Sequence, residues 1–274
     1  MRYIVGVLYT PTFDKGIGEN SELRIMYKPK KKFGQHFLND LDIASKIIEN
    51  ADLHEGDNVW EIGPGMGVLT DILTEKKVNL SIFEIDNDLI PLLNKKYTGK
   101  CQLFHSDILK VDWKKQISGQ KIKIVTNLPY QISSPFLYKL VENSNNIDKV
   151  ILMLQKEVAK RLCANPGTKD YGVLTIKTGF YFRTEYLFDV TADKFSPQPK
   201  VNSAVIRIVP RIDVPQVDNT EMFWKIVEMS FVSRRKTLRN NLKSLDLKNC
   251  SIDLGRRAET LSEGEFVELY KQIS

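Results

Sequence analysis

From residue 28 onward the chain alternates short apolar runs with amphipathic stretches. Leu41, Ile43, Ala44, Ile47, Ile48 and Ala51 recur at helical spacing behind Asn39 or Asp40, which predicts a capped helix over 41–51. Apolar runs at 59–62, 79–86, 102–107, 121–127 and 150–155 predict five strands. The stretches VLTDILTEK and LIPLLNKKY predict helices after the first two, and further helices are expected after the last two. Such alternation implies a parallel sheet covered by helices on both faces. Beyond a mixed segment at 171–182, EYLFDV and SAVIRIV read as two more strands around the Pro-rich FSPQPK, a hairpin edge on that sheet. From about Asn219 the pattern is helical. Leu238, Leu242 and Leu245 fall at i, i+4 and i+7 and predict a core-facing helix through SRRKTLRNNLK, with Arg235, Arg239 and Lys243 on an adjacent stripe. Residues 1–27 lack periodicity, and Met26 precedes the basic run KPKKKFGQHFLND, so a start there is plausible and residues 1–25 are expected to be dispensable. The expected division is an extension outside the fold at 1–27, a sheet domain at 28–212 and a small all-helical domain at 213–274.

The net charge of +6 and pI near 9.0 favour an acidic partner, nucleic acid first, with a solubilising surface as the alternative. Cys101, Cys163 and Cys250 are scattered, as are His36, His54 and His105. That spacing argues for a reducing compartment and against a disulfide framework or a metal site. No apolar run approaches the roughly 18 residues of a membrane span, and the opening apolar stretch is too short for a secretory signal. A cytoplasmic protein is expected.

In an open parallel sheet the ligand lies beyond the carboxyl ends of the strands. The first strand runs into Glu61, Gly63, Gly65 and Gly67, a tight turn where a ligand can approach the backbone. The sixth position of a dinucleotide GxGxxG pattern is Val68 here, which argues against a nicotinamide or flavin enzyme. Glu84 ends the second strand, where a carboxylate can accept from a ribose diol. Asp107 follows the third, placed for the amine of an adenine, and Asn127 ends the fourth. Either acid alone could be a helix cap or a loop acid. Together, in register with the glycine loop, they suit a nucleoside ligand.

The blocks EIGPGMGVLT, FEID, SDIL and NLPY resemble, in order and spacing, the ribosomal RNA adenosine-N6 dimethyltransferases. That family is a branch of the Rossmann-like S-adenosylmethionine-dependent methyltransferases. KKFGQHFLND, MLQKEVAKRL, DYGVLT, FSPQPKVNSAV, FVSRRKTLRNNLK and RAETLSEGEF extend the resemblance from about Lys30 to the C-terminus. It implies a class I methyltransferase fold, α/β with a mostly parallel seven-stranded sheet and helices on both faces, followed by a helical RNA-binding domain. It also implies S-adenosylmethionine contacts at His36, Leu38, Gly63, Gly65, Glu84, Asp107 and Asn127, and no metal. The basic FVSRRKTLRNNLK segment and RAETLS favour the branch acting on 16S rRNA, with Arg234, Arg235, Lys236, Arg239 and Lys243 meeting RNA. The implied product is N6,N6-dimethyladenosine at two adjacent sites near the 3′ end of 16S rRNA, made by a monomer on an immature small ribosomal subunit. The alternatives are a 23S-directed resistance enzyme, another adenine-N6 methyltransferase, or an assembly factor whose methylation is secondary.

That chemistry accounts for NLPY. The N6 lone pair of adenine is delocalised into the ring, so the amine must be held in line and made more tetrahedral to attack a methyl sulfonium. The Asn127 side-chain carbonyl and the Leu128 backbone carbonyl can each take one N6 hydrogen. Pro129 stiffens the turn, Tyr130 offers a flat face to an extruded base, and by the resemblance Phe195 supplies the opposing face.

Overall fold

The computed structural model describes residues 27–273, except Ser118 and Asn249. The expected start at Met26 and dispensability of residues 1–25 lie outside them.

A two-residue strand, β1 (Phe37–Leu38), leads into α1 (Leu41–Ala51). Asp40 caps α1 by accepting the Ile43 N–H at 3.0 Å, and Ala44, Ile47, Ile48 and Ala51 are buried along one face. Three strand–helix units follow: β2 (Asn58–Ile62) with α2 (Val68–Leu73), β3 (Asn79–Glu84) with α3 (Ile90–Tyr97), and β4 (Gln102–His105) with α4 (Trp113–Ile117). Next come β5 (Ile122–Asn127) with α5 (Ser133–Glu142), then β6 (Ile147–Gln155) with α6 (Lys156–Leu162). The chain continues through α7 (Val173–Tyr181), β7 (Phe182–Val190), β8 (Phe195–Ser196) and β9 (Ser203–Pro210). It closes with α8 (Thr220–Ser230), α9 (Leu238–Asn241) and α10 (Glu263–Ile273).

Seven strands form one sheet in the order β4-β3-β2-β5-β6-β9-β7. The first five pair in parallel, and β9 lies antiparallel between β6 and β7. The expected parallel sheet with a hairpin edge is therefore present. Val150, Ile151, Leu152, Met153 and Leu154 have no exposed surface, as expected of a strand covered on both faces. From β2 the chain builds outward through β3 and β4, then returns to place β5 on the other side. That reversal opens a crevice beyond the ends of β2 and β5, and Glu61 pairs with Val125, two residues before Asn127.

Three expectations are corrected. The mixed segment at 171–182 contains α7, whose Ile176 and Phe180 join Tyr171 in the apolar core of the C-terminal helices. The basic segment is not one helix: α9 spans four residues, and Arg234 and Arg235 precede it in a turn. The amides of Leu238 and Arg239 donate to the carbonyls of Arg256 and Leu254, so no upstream helical turn can use them. Leu238 and Leu242 are nevertheless fully buried, as their spacing requires. Lastly, Tyr27 belongs to the fold: its hydroxyl donates to the Asp86 carboxylate and lies 2.8 Å from Gln35 Oε1.

Candidate active site

The crevice is lined by the turn after β2, the ends of β3 and β5, the loop after β4, and residues 32–38. Gly63, Gly65 and Gly67 all have positive φ, which glycine adopts without strain. A Cβ on Gly65 would lie 2.7 Å from the Phe37 ring, and one on Gly67 would lie 2.0 Å from the Tyr97 hydroxyl. Both glycines are thus also required by packing on the protein side of the loop.

Glu84 is 4% exposed. Its Oε1 accepts the amides of Ile85 and Asp86, each at 2.8 Å, while among the described residues Oε2 has only a 3.4 Å contact from the Gly65 amide. Burial raises the pKa of its carboxyl, and these backbone N–H groups oppose the shift. Asp107 Oδ1 accepts the Leu109 amide at 3.0 Å. Next to it the Ser106 hydroxyl is buried without a partner among the described residues, and Ile85 remains 43% exposed despite lying on the crevice wall. An under-used carboxylate oxygen, an orphaned hydroxyl and an open apolar side chain fit a nucleoside-bearing cofactor. Gly63, Gly65, Glu84, Asp107, Asn127, His36 and Leu38 all line this crevice, so the structure brings together every residue expected to hold S-adenosylmethionine. Leu38 does so while packing into the core below.

Asn127 ends β5, and its Nδ2 donates to the His36 backbone carbonyl at 3.2 Å. A carbonyl can only accept, so this bond sets the amide with Nδ2 towards His36 and leaves Oδ1 as the free acceptor. Leu128 is buried and its amide donates to the Met153 carbonyl at 3.1 Å, which ties the turn to β6. The Tyr130 hydroxyl lies 2.7 Å from Ser203 Oγ at the start of β9. Phe195 is placed elsewhere than expected. Antiparallel pairing of β1 with β8 opposes it to Leu38 and turns its ring into the core, 4% exposed, while the neighbouring Ser196 faces outward. The ring that meets Tyr130 is His36, with centroids 5.7 Å apart and an interplanar angle of 29°.

Two residues that the sequence places among the strand-end blocks, Asp86 in FEID and Glu61 before the glycine turn, take roles that the sequence did not announce. Asp86 anchors the segment before β1: Lys30 and Tyr27 bond to its carboxylate, Gln35 Nε2 donates at 2.9 Å, and Lys30 also pairs with Asp88 at 2.6 Å. Burial works against the charge on Asp86, but these donors hold its pKa at about 2. Glu61 is 1% exposed and accepts the Thr70 hydroxyl at 2.7 Å. Burial pushes its carboxyl up to about 8, with Asp71 and Glu84 adding to the shift. A carboxyl raised in the folded state contributes stability below its unfolded pKa, and that contribution is lost as pH rises through the folded value. Glu61→Gln should therefore gain on the wild type between about pH 4.5 and pH 8, by at most about 1.4 kcal/mol per unit. Denaturant unfolding of the cofactor-free protein at pH 5, 6.5 and 8 measures this; a pH-independent difference would mean that Glu61 is ionised throughout.

Arg234, Arg235, Lys236, Arg239 and Lys243 are all exposed on the C-terminal helical part, and Arg234 donates to the Tyr171 carbonyl at 3.0 Å.

The family model described as "Ribosomal RNA adenine dimethylase" matches residues 26–274. The chain belongs to the ribosomal RNA adenine dimethylase family. It is 42% identical over 246 residues to the ribosomal RNA small subunit methyltransferase A of Chlorobium phaeobacteroides, covering 89% of this chain and 93% of that protein. The protein of that name from Pseudomonas aeruginosa is 39% identical over 256 residues, covering 90% and 96%. Among solved structures, a dimethyladenosine transferase from Plasmodium falciparum superposes with a TM-score of 0.73 at 25% identity, covering 85% of this chain and 96% of that one. The 23S rRNA methyltransferase ErmE gives 0.66 at 26%, covering 86% and 99%. As an rRNA adenine dimethylase, the chain is an S-adenosylmethionine-dependent methyltransferase on a Rossmann-like sheet.

Proposed function

We propose that this dimethylase transfers methyl groups to N6 of two adjacent adenosines near the 3′ end of 16S rRNA, acting as a monomer on an immature small subunit in the cytoplasm. The observation that carries the chemistry is the Asn127 amide, held at the crevice with its carbonyl oxygen as the free acceptor. The choice of RNA is supported by relatives near 40% identity named for the small subunit, against 26% for the 23S enzyme.

S-adenosylmethionine, when bound, supplies an electrophilic methyl on a sulfonium whose departure needs no acid. Glu84 would receive its ribose hydroxyls, Asp107 and Ser106 its adenine side, and the loop at Gly63 and Gly65 its amino-acid end. Asn127 Oδ1 and the Leu128 carbonyl each accept one N6 hydrogen, drawing the nitrogen out of conjugation and aiming its lone pair. Pro129 fixes the second acceptor. Tyr130, anchored through Ser203, provides the stacking face. No carboxylate occupies the position of Asn127, so the methylated amine releases its proton to water.

Small subunits from cells lacking this gene, treated with enzyme and cofactor, should acquire two dimethyladenosines that stop primer extension near the 3′ end of 16S rRNA. Methylation confined to 23S RNA would overturn the assignment.

The exposed cations of the helical part are read as its RNA-binding surface. Replacing Arg235, Arg239 and Lys243 with Gln should weaken RNA binding, and the slope of log K against log salt should fall by about 0.7–0.9 for each phosphate that is no longer neutralised. Filter binding at several salt concentrations checks this. An unchanged slope in the folded variant would move the docking surface to the Lys28–Lys32 run.

A further inference from the structure

His36 holds two parts of the catalytic turn in different ways. Its backbone carbonyl sets the Asn127 amide, while its ring stacks on Tyr130. Its Nδ1 lies 2.7 Å from the Pro197 carbonyl in the loop after β8. That carbonyl can only accept, so Nδ1 carries the hydrogen and the imidazole is tethered to the loop.

The ring spacing decides what this arrangement can admit. A base between two rings needs about 7 Å, two stacking distances of about 3.5 Å each. The His36 and Tyr130 centroids are 5.7 Å apart. An adenine and the imidazole cannot both occupy this face of Tyr130. Phe195 packs in the core and is 4% exposed, whereas the His36 ring stands directly against Tyr130.

We infer that the His36 ring gates the target-base slot: it covers Tyr130 in the base-free enzyme and must swing away, releasing Pro197, before the adenine can stack. This inference rests on the reading of Tyr130 as the base platform. Since Asn127 is tied to the His36 backbone and not to its ring, the ring can leave while the acceptor stays set. A base that regains the stack and two N6 hydrogen bonds offsets the displacement. A nucleotide without an adenine amine does so less well, which makes the gate a filter for the target.

The test is binding of a hairpin RNA, carrying either adenosine or an abasic site at the target position, measured by fluorescence anisotropy without cofactor. Removing one hydrogen bond and one aromatic stack should let His36→Ala bind the adenosine RNA about 5- to 30-fold more tightly than wild type, and His36→Asn, which loses the ring but keeps an amide donor for the Pro197 carbonyl, should gain in the same direction. Their affinity for the abasic RNA should not change. His36→Phe, which keeps a ring, should remain within about threefold of wild type. Equal gains on both RNAs, or no gain at all, would overturn the gate, and a gain in Phe equal to that in Ala would assign the effect to the Pro197 tether instead. Tyr130→Ala separates the two layers. If its preference for adenosine over the abasic site is as large as that of the wild type, the platform reading fails and the gate fails with it; if that preference shrinks to what the two N6 hydrogen bonds supply while His36→Ala gains nothing, the gate alone fails.

Discussion

Asn127→Ala should lower kcat by about 100-fold or more while leaving cofactor affinity within a few-fold, because loss of alignment costs on that scale and the missing oxygen is the one that aligns N6. The wild-type amide is pre-set. Its Nδ2 is held by the His36 carbonyl, so Oδ1 is already committed to the acceptor role before the base arrives. Alanine removes both halves of that arrangement, leaves the His36 carbonyl unpaired and cannot pull an N6 hydrogen out of the ring plane. Asp at this position keeps an acceptor but sets a second acceptor against the His36 carbonyl, so it should recover little. Single-turnover methylation with saturating cofactor, alongside calorimetric cofactor binding, separates the two effects. Near-normal single-turnover rates for Asn127→Ala would assign the alignment to the Leu128 carbonyl alone.

Much of the sheet is legible in the sequence because its strands are buried on both faces. Runs such as VILMLQ admit few other readings, and Asp40 caps its helix where the apolar period begins. Parallel topology then makes the cofactor crevice legible, since residues that end successive strands must come together beyond one edge of the sheet. What stays hidden depends on partners distant in sequence. Nothing near Asp86 announces that Tyr27, Lys30 and Gln35 will converge on it. Glu61 looks like any acid before a glycine loop, and only its burial among Asp71 and Glu84 raises its pKa. Phe195 lies in the Pro-rich block that points to the site, yet two-residue pairing with β1 decides which way its ring faces. The segment at 234–245 has helical spacing, but the 254–256 backbone takes the amides that a longer helix would have used.

Glu84 carries the second large effect, and its two oxygens allow its two tasks to be separated. Oε1 braces the loop by accepting the amides of Ile85 and Asp86, and through Asp86 it supports the anchor of the segment before β1. Oε2, with only the 3.4 Å contact from Gly65, is the oxygen left for a ribose diol. Hydrogen bonds to a charged acceptor are worth about 1.5–3 kcal/mol, so removing it should weaken S-adenosylmethionine binding by about 10- to 100-fold. Glu84→Gln can keep one oxygen on the two loop amides while presenting an NH₂ where the diol needs an acceptor. It should show that loss in affinity with an almost unchanged melting temperature, since burial already disfavours the charge. Glu84→Ala should lose at least as much affinity and also melt several degrees lower, because two loop amides, one of them buried, lose their acceptor. Calorimetry paired with thermal unfolding distinguishes the cases. Unaltered affinity in Glu84→Gln would reduce Glu84 to a brace for the loop and shift recognition of the ribose to other atoms of the crevice.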